Sequence, residues 1–253
     1  MLHRIVIILF LVSTYAAATA QDARPFRFGL KVSPNYGWLR PNIPELEKDG
    51  VMGRLGFGYG LMGDIMFSES PNYLFSTGVE ITHHGGRLVE AASEVVDGTR
   101  FNGTLEQTYR LQYLNVPLTL KMRTNQIGYM YYFGSFGMDA GLNLAARANR
   151  DYTWQGSAAL QPEDEDNIDI KNDVRALKMA LNITAGAEYN LSGNTNIYVA
   201  IGWHNAFTNI LKGRVWEPQS DGNPLLDAAG NPMIGQNRKA VTNYISLDLG
   251  VFF

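Results

Sequence analysis

The chain has 253 residues, with 24 acidic and 21 basic side chains and a net charge of −3, so it offers no basic field to nucleic acid. It contains no cysteine, which excludes disulfides and lipid attachment at an N-terminal cysteine. Beyond the N-terminus nothing approaches the roughly 18 consecutive apolar residues of a membrane helix, whereas 26 glycines, 13 tyrosines and 12 phenylalanines favour β structure.

Met1 to Ala20 reads as a secretory signal peptide. His3 and Arg4 form a basic start, Ile5 to Val12 an apolar core, and Ala18-Thr19-Ala20 a small-x-small site before Gln21. An N-terminal anchor is the weaker alternative, because the core is short and small polar residues follow it. Cleavage near Ala20 leaves residues 21–253 as one β-domain.

The first strand is expected over Phe26 to Trp38. Phe28, Leu30 and Val32 share one face, and Arg27, Gly29, Lys31 and Ser33 the other. A polar stretch, Arg40 to Gly50, follows. The second strand, Gly53 to Phe67, is the most distinctive. Leu55, Phe57, Tyr59, Leu61, Ile65 and Phe67 fall on one parity, and Arg54, Gly56, Gly58, Gly60, Met62 and Asp64 on the other. A water-facing strand would carry Lys, Glu and Thr. Alternating glycines suit the cramped lumen of a small barrel, with the apolar face turned to lipid.

After the turn SESPNY, a third strand runs from about Leu74 to Leu88, with Phe75, Val79 and Ile81 opposed to Ser76, Gly78, Glu80 and Thr82. A long polar loop is expected to about Glu106. The fourth strand, Thr108 to Arg123, is apolar on odd positions to Tyr113 and on even positions from Leu114, as an extra β-bulge residue would cause; Pro117 adds a further irregularity. The fifth, Ile127 to Asn149, puts Met138, Ala140, Leu142 and Leu144 to lipid and Asp139, Asn143 and Arg147 to the lumen. A third long loop holds the acidic run around Glu163 to Asp166. The sixth strand, Val174 to Tyr189, sets Lys178, Asn182, Thr184 and Glu188 against an apolar face. The seventh, Asn196 to Phe207, faces Tyr198, Gly202 and His204 inward. A fourth long loop runs to about Lys239. The eighth strand, Ala240 to Phe253, alternates Val241, Ile245, Leu247, Leu249 and Val251 with Tyr244, Ser246, Asp248 and Gly250.

Eight strands joined alternately by long loops and short turns describe an all-β, eight-stranded antiparallel up-and-down transmembrane β-barrel of the outer membrane. Long loops would lie outside the cell and both mature termini in the periplasm. A secreted lipocalin-like barrel is the alternative. It would turn the Gly/Ser/Thr face of the second and third strands to water, a poor surface for solubility.

The strand Tyr113-Leu114-Asn115-Val116-Pro117-Leu118-Thr119-Leu120-Lys121, the glycine-alternating strands, the segment Ala185 to Leu191 and the terminal Val251-Phe252-Phe253 resemble the PorT-like outer-membrane β-barrel family. The resemblance spans the mature chain. It implies a small barrel in the outer membrane of a Gram-negative bacterium and, from the family's namesake, an accessory role in type nine secretion.

The inward parity collects charges of both signs: Lys31, Arg54, Asp64, Glu80, Lys121, Asp139, Lys178, Glu188 and Asp248. In a filled lumen they form a structural ion-pair network rather than an ion path. His84 and His204 also face inward, towards the rim. A general base there would suit a lipid hydrolase or protease, with Glu90, Ser93 and Glu94 in the adjoining loop, yet no recognised spacing is present. The pair lacks an identifiable third metal ligand. The acidic run lacks the spacing and central glycine of an EF-hand and reads as a solvated loop. Trp154, Trp216 and the stretch Glu217 to Asn237 offer a surface for binding.

The sequence therefore predicts a non-enzymatic barrel with no catalytic residues, no cofactor and no metal. Its partners would be outer-membrane lipid, the barrel-assembly machinery through the strand ending at Phe253, and secretion-system proteins. A stand-alone surface barrel working through its loops and an outer-membrane lipid hydrolase or protease are the alternatives.

Overall fold

The computed structural model describes residues 26–43, 46, 53–66, 71–96, 98–155, 163–220 and 223–253. The expected signal peptide lies outside them. Eight long strands form the wall: β1 (Phe26–Pro41), β2 (Arg54–Met66), β3 (Tyr73–Val96), β4 (Thr99–Arg123), β5 (Met130–Trp154), β7 (Leu177–Ser192), β8 (Thr195–Ala206) and β11 (Ala240–Phe252). Each pairs antiparallel with its neighbour in the chain. The β1–β11 pairing closes the ring, so no wall strand leaves an edge open along its whole length. Three short strands sit at one end: β6 (Glu165–Asp169), added to β5, and the β9 (Arg214–Trp216) and β10 (Ile234–Asn237) pair.

Alternation in the sequence becomes an inside and an outside. Phe28, Leu30, Val32, Phe57, Tyr59, Leu61, Val79, Leu118, Met138, Ile183, Val199, Ile201, Leu247 and Leu249 stand exposed as a belt around the wall. Ile201 is 64% exposed, a state that water would penalise and hydrocarbon favours. Inward positions are polar and buried, among them Ser33, Thr82, Asn115, Thr119, Asn182 and Thr184. This geometry rules out the lipocalin-like alternative, whose apolar side would face in. The glycine face of β2 does meet a cramped lumen: a Cβ at Gly58 would stand 2.6 Å from Glu80 Oε1.

Several expectations need correction. The second long loop is not a loop: β3 and β4 stay paired up to Val96 opposite Thr99, well beyond the belt. The fourth strand has no phase slip. Its odd positions are buried from Phe101 to Asn115 and again at Thr119 and Lys121, with Pro117 half-buried between them. The change at Tyr113 and Leu114 is one of surroundings, from apolar-inside to polar-inside. The bulge lies in β5, where Gln112 pairs with Ala145 and Tyr113 with Asn143. It reverses the facing of the residues beyond it, so Arg147 is exposed on the outside and Ala146 and Ala148 are buried. Pro117 interrupts the β3–β4 ladder, with no partners between Thr77↔Leu118 and Glu80↔Asn115, yet leaves the register intact. Val241, grouped by alternation with the outer face of the last strand, is buried with Ala180 and Ala206.

Beyond the belt, β3, β4 and β5 continue as a curved sheet that forms a lobe. Its inner face carries Leu88, Leu105, Tyr109 and Leu111, packed against Ile43 and Leu46 after β1, against Ile210 and Leu211 between β8 and β9, and against Val215 of β9. This cluster is an ordinary water-soluble core set over one end of the barrel. At the other end, the turn end, short connections join β2 to β3, β4 to β5 and β7 to β8.

Candidate functional site

The lumen holds three tiers of charge. At the turn end, Arg27 Nη2 donates to Asp64 Oδ2 at 2.6 Å, and Arg27 Nη1 to Glu188 Oε2 at 2.6 Å. Lys121 Nζ donates to the same two carboxylates at 3.0 and 2.5 Å, and the Ser76 hydroxyl donates to Asp64. Arg123 adds a longer contact to Glu188 at 3.9 Å. Lys121 also lies over the Phe133 ring and Arg27 over Phe252, at 4.3 and 4.2 Å. A mouth of about 180 Å³ opens beneath, lined by Arg27, Asp64, Arg123, Tyr131 and Asn196. In the middle tier, Lys31 bridges Glu80 at 2.8 Å and Asp248 at 3.8 Å.

The upper tier is aromatic as well as charged. Lys178 is buried beneath the Tyr113 ring at 4.4 Å, beside Tyr244 at 5.4 Å, with His84 Nε2 3.4 Å from its Nζ. His204 stacks on Tyr244 at 4.1 Å. Its Nδ1 lies 2.5 Å from Asp139 Oδ2, and its Nε2 3.4 Å from Ser246 Oγ. Asn182 holds the other Asp139 oxygen at 2.7 Å. Carboxylate, imidazole and hydroxyl thus stand in the order of a general-base relay. Gly202 makes room for it, since a Cβ there would stand 2.7 Å from Ser246 Oγ and 2.9 Å from His204 Nε2. Ser246 is nevertheless 2% exposed, with the apolar lobe core above it.

Among the described residues the lumen cations are Arg27, Lys31, Lys121, Arg123 and Lys178, and the lumen carboxylates Asp64, Glu80, Asp139, Glu188 and Asp248. Five against five leaves the interior balanced, as burial requires. A cavity of about 50 Å³ between Lys31, Lys121, Thr184 and Asp248 is too small for a water-filled channel.

A second candidate site lies in the lobe. A cleft of about 210 Å³ separates the inner face of β3–β5 from β9. Tyr152 and Trp154 stack in its wall, with centroids 4.9 Å apart and planes at 11°. Trp216 and Arg214 stand across from them on β9, and Ser93 and Glu94 border it on β3. Arg238 is ion-paired with Glu90, and Arg150 with Glu165 at 3.1 Å. Burial raises the Tyr152 phenol above its ordinary pKa. At the tip between β9 and β10, backbone N–H groups of Asn231 and Ala229 hold the Asp227 carboxyl below its usual range.

The family model described as "Outer membrane protein beta-barrel domain" matches residues 19–212, most of the chain. The chain belongs to this family. It is accordingly a protein of the outer membrane, and its exposed belt is the surface that meets lipid. No curated protein matches the chain. Solved structures similar to this outer-membrane barrel include Neisserial surface protein A, at 9% identity and a TM-score of 0.39, covering 89% of this chain and 95% of that one. The attachment invasion locus protein Ail of Yersinia pestis is similar at 12% identity and a TM-score of 0.34, covering 90% and 98%. The outer membrane protease OmpT of Escherichia coli is similar at 10% and 0.36, covering 93% and 99%.

Of the residues singled out in the sequence, Lys31, Asp64, Glu80, Lys121, Glu188 and Asp248 meet in the two lower tiers, and Asp139, Lys178, His84 and His204 in the upper one. Arg54 stands apart: it is half-buried at the top of β2, with no carboxylate in ion-pair reach among the described residues. Sequence reading missed Arg27 and Arg123 as network members, although each shares the inward parity of Lys31 or Lys121. It also missed Ser246, whose approach to His204 depends on the β8–β11 register. The acidic run is partly strand: Glu165 to Asp169 line the edge of β5, where Asn149 Nδ2 donates to Asp166 at 2.6 Å. Glu90, Ser93 and Glu94, placed near His84 by chain order, border the lobe cleft instead.

Proposed function

We propose that this protein is a non-enzymatic, non-conducting surface barrel that acts through its lobe. In this reading the signal peptide is removed near Ala20, the termini and short turns face the periplasm, and the lobe faces out of the cell. One observation carries it: the lumen is filled by a balanced charge network and capped by an apolar core, while the formed cleft lies outside the belt. Planar-bilayer recording tests it. The folded barrel should show no conductance steps, and a steady open channel would overturn the reading.

The Asp139–His204–Ser246 array favours a hydrolase as second reading. A fluorophosphonate probe on the native barrel separates the two. Absence of adduct at Ser246 supports the non-enzymatic reading, and labelling lost in Ser246→Ala would establish the hydrolase. A role as secretion accessory draws on the PorT-like resemblance alone. Mild-detergent pull-down of a tagged copy, with secretion components recovered in fixed ratio, is the result that would support it; assembly-machine contacts would run through the strand ending at Phe253.

A further inference from the structure

We infer that the lobe cleft binds one pyranose unit of a saccharide, with preference for a unit bearing a carboxylate. The inference rests on the lobe being the working part of the barrel. Size is the first argument. At about 210 Å³ the cleft is smaller than the roughly 300–1,000 Å³ of sites that enclose a drug-sized ligand, so it takes one unit of a longer molecule. Its walls are the second. Trp216 supplies an aromatic ring from β9, and Tyr152 and Trp154, stacked ring on ring, wall the opposite side. Aromatic faces are the surface on which the C–H side of a sugar ring packs, and they lose little conformational freedom in doing so.

The polar groups decide among ligands with flat faces. A sugar ring needs donors and acceptors together around its edge. The Glu94 carboxylate on β3 accepts and the Arg214 guanidinium on β9 donates. Arg150 and Arg238 are occupied by Glu165 and Glu90, whereas Arg214 is exposed and has no ion-pair partner among the described residues. It is the group a ligand carboxylate would meet with paired N–H donors. Arg214, with no ion pair among the described residues, disfavours a quaternary ammonium, which aromatic walls alone would invite. The charged border excludes an acyl chain.

The full-length barrel, refolded in detergent free of lipopolysaccharide, is tested on an array of neutral and uronic-acid oligosaccharides, with the strongest members titrated by calorimetry. The expected result is saturable binding that is tighter for uronic-acid members than for their neutral counterparts. Trp216→Ala should weaken both about tenfold or more, and Arg214→Ala should abolish the preference while keeping the neutral affinity. Each variant must retain its heat-modifiable gel shift, so lost binding is not lost folding. Failure of every array member, binding untouched by Trp216→Ala, or a preference untouched by Arg214→Ala would overturn the inference. An electrically silent barrel that binds no sugar overturns this inference alone; an open channel overturns the reading beneath it.

Discussion

The two halves of β4 solve opposite solvation problems with one strand. From Phe101 to Tyr113 its inward side is apolar apart from Gln107 and its outward side polar, as in a water-soluble sheet. From Leu114 to Met122 the outward side is apolar, and Asn115, Thr119 and Lys121 point in. The backbone never changes phase. The same two-residue alternation therefore serves both media, and the point at which hydrophobicity changes face marks where the strand leaves lipid.

The halves should break differently. The largest effect is expected in the barrel half, from Lys121→Met. It removes one of the two cations, with Arg27, that Asp64 and Glu188 share, and should cost about 3–5 kcal/mol in the urea unfolding of the reconstituted barrel. In the lobe half, Leu111→Ala should cost about 2–5 kcal/mol through a cavity in an apolar core, with the gel shift kept. The outward face gives the sharpest contrast. Leu118→Arg meets lipid and should cost about 2–4 kcal/mol, whereas Thr104→Arg on the same face of the lobe should stay within about 0.5 kcal/mol. Equal costs would mean that the two halves share one environment.

The smallest effect concerns pH. Asp227 has a depressed pKa in the folded lobe, because backbone N–H groups stabilise its charged form. Its contribution is therefore present above the unfolded value of 3.8 and is lost as pH falls through the lower folded value. The β9–β10 pair should loosen in that acid range, seen as faster amide exchange near Trp216 and Ile234. Asp227→Asn should remove that acid transition.

Most of the barrel was legible because a lipid-facing strand repeats its pattern at every second residue. Phe28, Leu30 and Val32, or Ile197, Val199 and Ile201, need no tertiary knowledge to be paired with a face. The lobe was less legible because β3–β4 above Leu88 carries its apolar residues inward, at lower density and against loops distant in sequence. Leu105, Tyr109 and Leu111 sit on the parity that the lower strand reserves for polar groups, so one rule applied to the whole strand reads them as a slip. Arg147 was misplaced by a bulge that only pairing with β4 reveals. The Asp139–His204–Ser246 contact joins three strands whose mutual register no local pattern encodes.

The most direct test of the inversion on β4 uses the absence of native cysteine. Single cysteines are placed at the outward positions Thr104, Thr108, Gln112, Leu114, Val116, Leu118 and Leu120 of the barrel in lipid vesicles. Each is challenged with a membrane-impermeant maleimide and, separately, read with a depth-sensitive bilayer quencher. Maleimide labelling is expected at 104, 108 and 112 and falls away from 114 to 120, with quenching rising over the same step. Labelling that continues through Leu118, or lipid quenching at Thr104, would contradict the inversion.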